Sequence, residues 1–168
     1  MTFATIVCIV PLSSDKLDDN IDAHLLHAIK NKYNRSYNEK KEYYILDVKY
    51  ILRTINYISN ANSLAIFKNV CKVKILPMSI GKWMEGTCEI AKGAGIFVHA
   101  PGRITKVFIK HDNVIKNDVT YSASLNAYVK GNDIVFNLDT PVKIHVFNRD
   151  FINKNFRYIG DEIMIFIN

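Results

Sequence analysis

Residues 3 to 10, Phe-Ala-Thr-Ile-Val-Cys-Ile-Val, form an unbroken apolar, largely β-branched run that Pro11 closes, the pattern of a first strand. The period then changes. Leu17, Ile21, Leu25, Ile29 and Tyr33 recur every fourth residue, with Asp15, Asp18, Asp19 and Asp22 crowding the beginning and Lys30, Lys32 and Arg35 the end. That spacing predicts a helix, and the charges sit where its dipole favours them. Residues 36 to 42 are polar and read as a loop. Tyr43 to Ile58 alternate as a long strand anchored by Ile45, Val48, Tyr50 and Leu52, Ser59 to Ser63 turn the chain, and Leu64 to Leu76 return. Strand, helix and hairpin predict an α+β domain over residues 1–77, with the helix packed on one sheet face.

Beyond Pro77 the pattern becomes all-β, with strands expected at 82–91, 95–100, 104–110, 132–138, 142–148 and 155–167 and a long excursion at 111–130. Gly81 and Gly86 near a strand start, then Gly93 and Gly95, permit the close approach, turn and bulge of a strongly coiled barrel. The expectation for residues 78–168 is an OB-fold, a five-stranded Greek-key barrel. Within it, Ile96, Val98 and Ala100 face one way and Phe97 and His99 the other. A register slip of one residue would exchange the two sets and send Phe97 and Phe108 into the core.

The 168 residues hold one large domain or two small ones, and 49% hydrophobic with 23% charged positions is the composition of a folded chain. No apolar run reaches the length of a membrane span, and the start lacks the pattern of a secretory leader, so an intracellular protein is expected. Cys8, Cys71 and Cys88 are odd in number and widely spaced, which argues against a disulfide framework and against a zinc site. The net charge of +6 is unevenly spread. Fifteen Lys or Arg against five acids fall between Lys30 and Lys110, a bias that suits an anionic partner and equally suits solubility. Over-use of Asn, Ile and Lys reflects an AT-rich genome and carries no information about fold.

No catalytic constellation is visible: there is no Walker loop, no Gly-x-Ser-x-Gly elbow, no His-Glu-x-x-His and no paired cysteine ligands. Asp18, Asp19 and Asp22 serve the helix dipole more plausibly than a metal. The chain is therefore read as non-enzymatic, without cofactor or metal. The chemistry that does emerge is a nucleic-acid platform. Phe97 and His99 on one strand and Phe108 on the next, with Lys92, Arg103, Lys106 and Lys110 around them, offer rings for bases and cations for phosphates.

The order of parts resembles the larger stalk subunit of archaeal and eukaryotic RNA polymerases, and its divergence resembles that of poxvirus-type small polymerase subunits. The matching stretches are Asn20 to Leu26 for the first helix, Lys72 to Pro77 for the strand into the barrel, Gly81 to Gly86, Gly95 to Val98, Val142 to Val146 and Tyr158 to Gly160. The resemblance implies a non-catalytic subunit of a multisubunit DNA-directed RNA polymerase. Its N-terminal domain would dock on the core beneath the clamp of the largest subunit, through Asp19, Asn20 and Ile21 and the hairpin tip at Asn60, Ala61 and Asn62. Its barrel would contact nascent single-stranded RNA weakly and without sequence preference, with or without a smaller stalk partner and with no membrane. The expected location is the nucleus for a cellular protein, or the host cytoplasm or virion for a cytoplasmic DNA virus. The family's tip loop is often glycine-rich, whereas Thr54 to Val70 contains no glycine. The competing expectation is a free-standing, translation-factor-like RNA-binding module on the same barrel.

Overall fold

The computed structural model describes residues 2–59, 64–152 and 155–166. The chain divides into two compact units, Met1–Pro77 and Met78–Asn168.

In the first unit the apolar opening run becomes strand β1 (Thr2–Ser13), continuous through Pro11. Helix α1 (Ile21–Tyr33) follows, then the short β2 (Tyr37–Asn38) and the long hairpin of β3 (Tyr43–Ser59) and β4 (Leu64–Pro77). The four strands form one sheet in the order β1-β4-β3-β2, with all pairs antiparallel. Helix α1 lies on one face against β1 and β3. It buries Leu25 and Ile29 against Cys8, Val10 and Leu12 of β1, Ile45 and Val48 of β3, and Phe67, Cys71 and Val73 of β4. Each such aliphatic side chain, fully buried, stabilises the unit by about 1.5–3 kcal/mol.

Asn69 is the one buried polar side chain among the described residues. Its amide donates to the Cys8 and Phe67 carbonyls at 3.4 Å each and its oxygen accepts from Thr54 Oγ1 at 2.8 Å, so the group is satisfied inside the sheet. Burial pushes the thiols of Cys8 and Cys71 upward, which keeps them protonated.

Several expectations need correction here. Helix α1 begins at Ile21, so Asp15, Asp18 and Asp19 precede it and only Asp22 lies in its first turn. Asp18 instead accepts from the Asn20 backbone N–H at 2.8 Å and pairs with His24 at 3.3 Å. The polar stretch 36–42 contains β2. Tyr50 and Leu52 are exposed, because register shifts in β3 after Ile45 and after Val48 each insert a residue and exchange the two faces.

In the second unit β5 (Trp83–Ile90), β6 (Gly95–His99) and β7 (Lys106–Lys110) form an antiparallel meander. An excursion carries the short α2 (His111–Val114) and the strands β8 (Thr120–Ser122), β9 (Ala127–Lys130) and β10 (Asp133–Phe136), which make a sheet of their own. The chain returns as β11 (Pro141–Ile152) and β12 (Asn155–Ile165). β12 pairs parallel with β7, and β11 pairs antiparallel with both β12 and β5. The result is a closed barrel, β5-β6-β7-β12-β11.

Its interior is filled by Met84, Cys88, Ile96, Val98, Val107, Ile109, Val142, Ile144 and Val146. Burial pushes the Cys88 thiol up to about 12. Closure needs glycine at two points: a Cβ on Gly86 would collide with the His99 carbonyl oxygen, and one on Gly95 with the Ile109 carbonyl oxygen. A bulge is expected near Gly93 and Gly95, whereas the described register shifts of the barrel lie in the β11–β12 ladder on either side of Val146, where Asp161 of β12 and Phe147 of β11 are the extra residues.

The fold class expected from the sequence is overturned. The chain is mostly β in both units, with a closed five-stranded barrel, and is not an α+β domain followed by an OB-fold. One thirteen-residue helix stands against strands of twelve, seventeen and fourteen residues in the first unit, so strand pairing dominates its architecture. The segment expected as a barrel strand at 132–138 belongs to the separate three-stranded sheet.

Candidate nucleic-acid interface

The outer face of β6 and β7 follows directly from their alternation. Ile96, Val98, Val107 and Ile109 are fully buried in the barrel, which forces Phe97, His99, Lys106, Phe108 and Lys110 to the outside. The slip that would bury both rings does not occur. Phe97 and Phe108 are directly opposed in the ladder, half-buried, with ring centroids 4.9 Å apart and planes inclined by 45°. Lys106 Nζ lies 4.2 Å from the Phe97 centroid, a cation–π contact.

On β7 the order Lys106, Phe108, Lys110 places a ring between two lysines whose Cα atoms, at the rise of a strand, stand about 13 Å apart. Lys110 pairs with Gly95 at the end of the patch where the turn bearing Lys92 emerges. Lys106 pairs with His99 at the other end, where Arg103 follows β6. Lys92 and Arg103 are exposed and adopt positive φ, 31° and 54°. All seven residues singled out from the sequence thus belong to the β6–β7 hairpin or its flanking turns.

One acid interrupts this field. Glu89 of β5 stands beside Phe97 in the ladder, and its carboxylate is hydrogen-bonded to His99 Nε2. That hydrogen bond, and secondarily the charges of His99, Lys106 and Arg103, hold the Glu89 carboxyl below its ordinary range. The carboxylate is therefore already committed to protein cations. The sequence reading missed it because Glu89 lies on a different strand.

A second aromatic group on the barrel is Trp83, 41% exposed at the start of β5, with its ring 5.3 Å from that of His145. His145 Nδ1 is 2.6 Å from Asp161 Oδ1, and the next pair along the same ladder face is Glu85 with Lys143, so this ring sits on a mixed acidic and basic surface.

Of the residues expected to dock on a polymerase core, the described ones are Asp19, Asn20 and Ile21. Asp19 and Asn20 are exposed ahead of α1, whereas Ile21 is partly buried and packs against the core of the first unit. Asn60, Ala61 and Asn62 lie outside the described residues. Among the described residues, no group of three His, Cys, Asp or Glu side chains is placed to hold a metal ion, and no helix is long and apolar enough to cross a membrane.

No protein-family model and no curated protein matches this sequence.

Proposed function

We propose that the chain is a non-catalytic, stalk-type subunit of a multisubunit DNA-directed RNA polymerase, and that its barrel holds nascent single-stranded RNA on the outer face of β6 and β7. The first unit then docks on the polymerase core, in a nucleus or at a viral transcription site. The assignment to a polymerase rests on the collinear resemblance described above. The RNA contact rests on one observation, the opposed Phe97 and Phe108 rings with Lys106 over the first and Lys110 beyond the second.

Two adjacent rings accept stacked bases of any identity, each worth about 1–3 kcal/mol, while lysines neutralise phosphates without reading sequence. Binding is weak, salt-sensitive and nonspecific. Anisotropy titrations of a single-stranded RNA across a salt series test this. Engagement of about three to five phosphates gives a log–log slope of roughly −2 to −3.5, and a salt-independent affinity refutes the contact. The native mass at which the protein elutes from lysate tests the other half of the reading: a subunit migrates with a very large complex, and a free-standing module migrates alone.

A further inference from the structure

The first unit leaves one long strand with an open side. β1 is the edge of its sheet, pairing only with β4 and in continuous register from Thr2 to Ser13. Natural sheets protect such edges with charges, prolines, bulges or short strands, because unpaired N–H and C=O groups are a template for another strand. β1 has twelve residues, no charged side chain and no bulge, and its single proline lies near the far end.

Part of this edge is covered from within. The Ile9 N–H donates to Tyr33 Oη at 2.9 Å, and Lys32 Nζ donates to the Ile9 carbonyl at 2.8 Å. These contacts also establish which backbone groups point away from β4: those of Ile9 and, two and four residues back, of Val7 and Thr5. Among the described residues nothing pairs with Thr5 and Val7 on that side.

Beside this uncovered stretch, on the α1 side of the sheet, runs a cleft of about 490 Å³ lined by Thr5, Val7, Lys32, Tyr33, Tyr37 and Lys41 among others, with two lysines and no acid in its wall. On the opposite face Phe3, Val7 and Ile9 are each more than 40% exposed. A strand laid against Thr5 and Val7 directs alternate side chains to these two environments. One set meets lysines and tyrosine rings, the other meets Phe3, Val7 and Ile9.

We propose that the open edge of β1 is a docking site for an extended segment of a partner protein in which apolar residues alternate with acidic ones, added as a fifth strand to the sheet. A second copy of this chain fits less well, since β1-to-β1 pairing brings Lys32 and Lys41 of both copies to the same seam. The inference does not depend on what the barrel binds.

The test uses the full chain and a capped octapeptide of alternating valine and glutamate, with its valine–lysine counterpart as control, followed by amide hydrogen exchange. In the free protein the Thr5 and Val7 amides exchange quickly. The glutamate peptide slows both, the lysine peptide does not, and Val7→Pro, which removes an N–H that β4 does not use, weakens the glutamate peptide at least tenfold. Should Val7→Pro fail to fold, Lys41→Glu, an exposed change outside the strand, decides the matter by reversing the preference between the two peptides. Absence of protection at millimolar peptide, or unchanged affinity in the variant that folds, overturns the proposal. So does protection that appears with rising protein concentration alone, which marks self-pairing, or with single-stranded RNA in place of peptide.

Discussion

Both units expose aromatic rings beside lysines on a β surface, yet they do so in different ways. On the barrel, Phe97 and Phe108 oppose each other across one ladder, and Lys106 approaches to 4.2 Å. On the open face of the first sheet, Lys72 lies 5.8 Å from the Phe3 ring, while Tyr50 pairs with Lys72 one row away, so the two rings are not adjacent. The barrel strands also have hydrogen-bonded neighbours on both sides, whereas β1 has one neighbour only. Closure fixes the register of the ring pair from two directions, and an open sheet lacks that constraint. Under the two proposals the surfaces take different partners: stacked bases for the barrel wall, an added strand for the sheet edge.

The largest perturbation that separates the two is Ile109→Ala inside the barrel. It removes a fully buried side chain from the strand that carries Phe108 and is expected to lower stability by about 2–5 kcal/mol in denaturant unfolding. Next in size, Phe108→Ala is expected to weaken single-stranded RNA by about 1–3 kcal/mol, while Tyr50→Ala leaves titrations unchanged. Equal losses in the two variants would erase the distinction between the surfaces. A subtler contrast comes from cations. Lys106→Ala should reduce the salt slope by about 0.7, and Lys72→Ala should leave it where it is, since only the former faces the proposed RNA path.

The smallest effect concerns Glu89. Its carboxyl is held below the ordinary value of 4.5, chiefly by the hydrogen bond from His99, so it contributes stability that is present above that value and lost as pH falls through the depressed one. Glu89→Gln should therefore flatten stability against pH in the acid limb below about 4.5, measured by denaturant titrations at a series of pH values. The change is small because the carboxylate is half exposed and screened by solvent.

Much of this candidate site can be read from the chain itself, because a half-buried strand writes its two faces as alternation: Ile96, Val98, Val107 and Ile109 against Phe97, His99, Lys106 and Phe108. What alternation does not carry is which strand lies next to which. Asp133–Phe136 has the local pattern of a barrel strand, yet it pairs with β9 in another sheet. Nor does it reveal bulges, each of which exchanges the faces beyond it, so Tyr50 and Leu52 look like core positions and are not. The fold class fails for a related reason. The single helix has the clearest period in the first unit and draws the reading toward α+β, while the hairpin of β3 and β4, legible at nearly its full length, and the pairing of β1 along β4 make strands the larger part of the unit. The bare edge of β1 is a property of topology, absent from any local pattern.

The parallel pairing of β7 with β12 also governs when the wall that carries Phe97 and Phe108 exists at all. Phe108 gains its second neighbour only from Ile159, which the ribosome delivers after α2, the three-stranded sheet and β11 have already emerged. A nascent chain thus carries β7 as a temporarily one-sided strand through a long stretch of synthesis, and the barrel is sealed by its last strand.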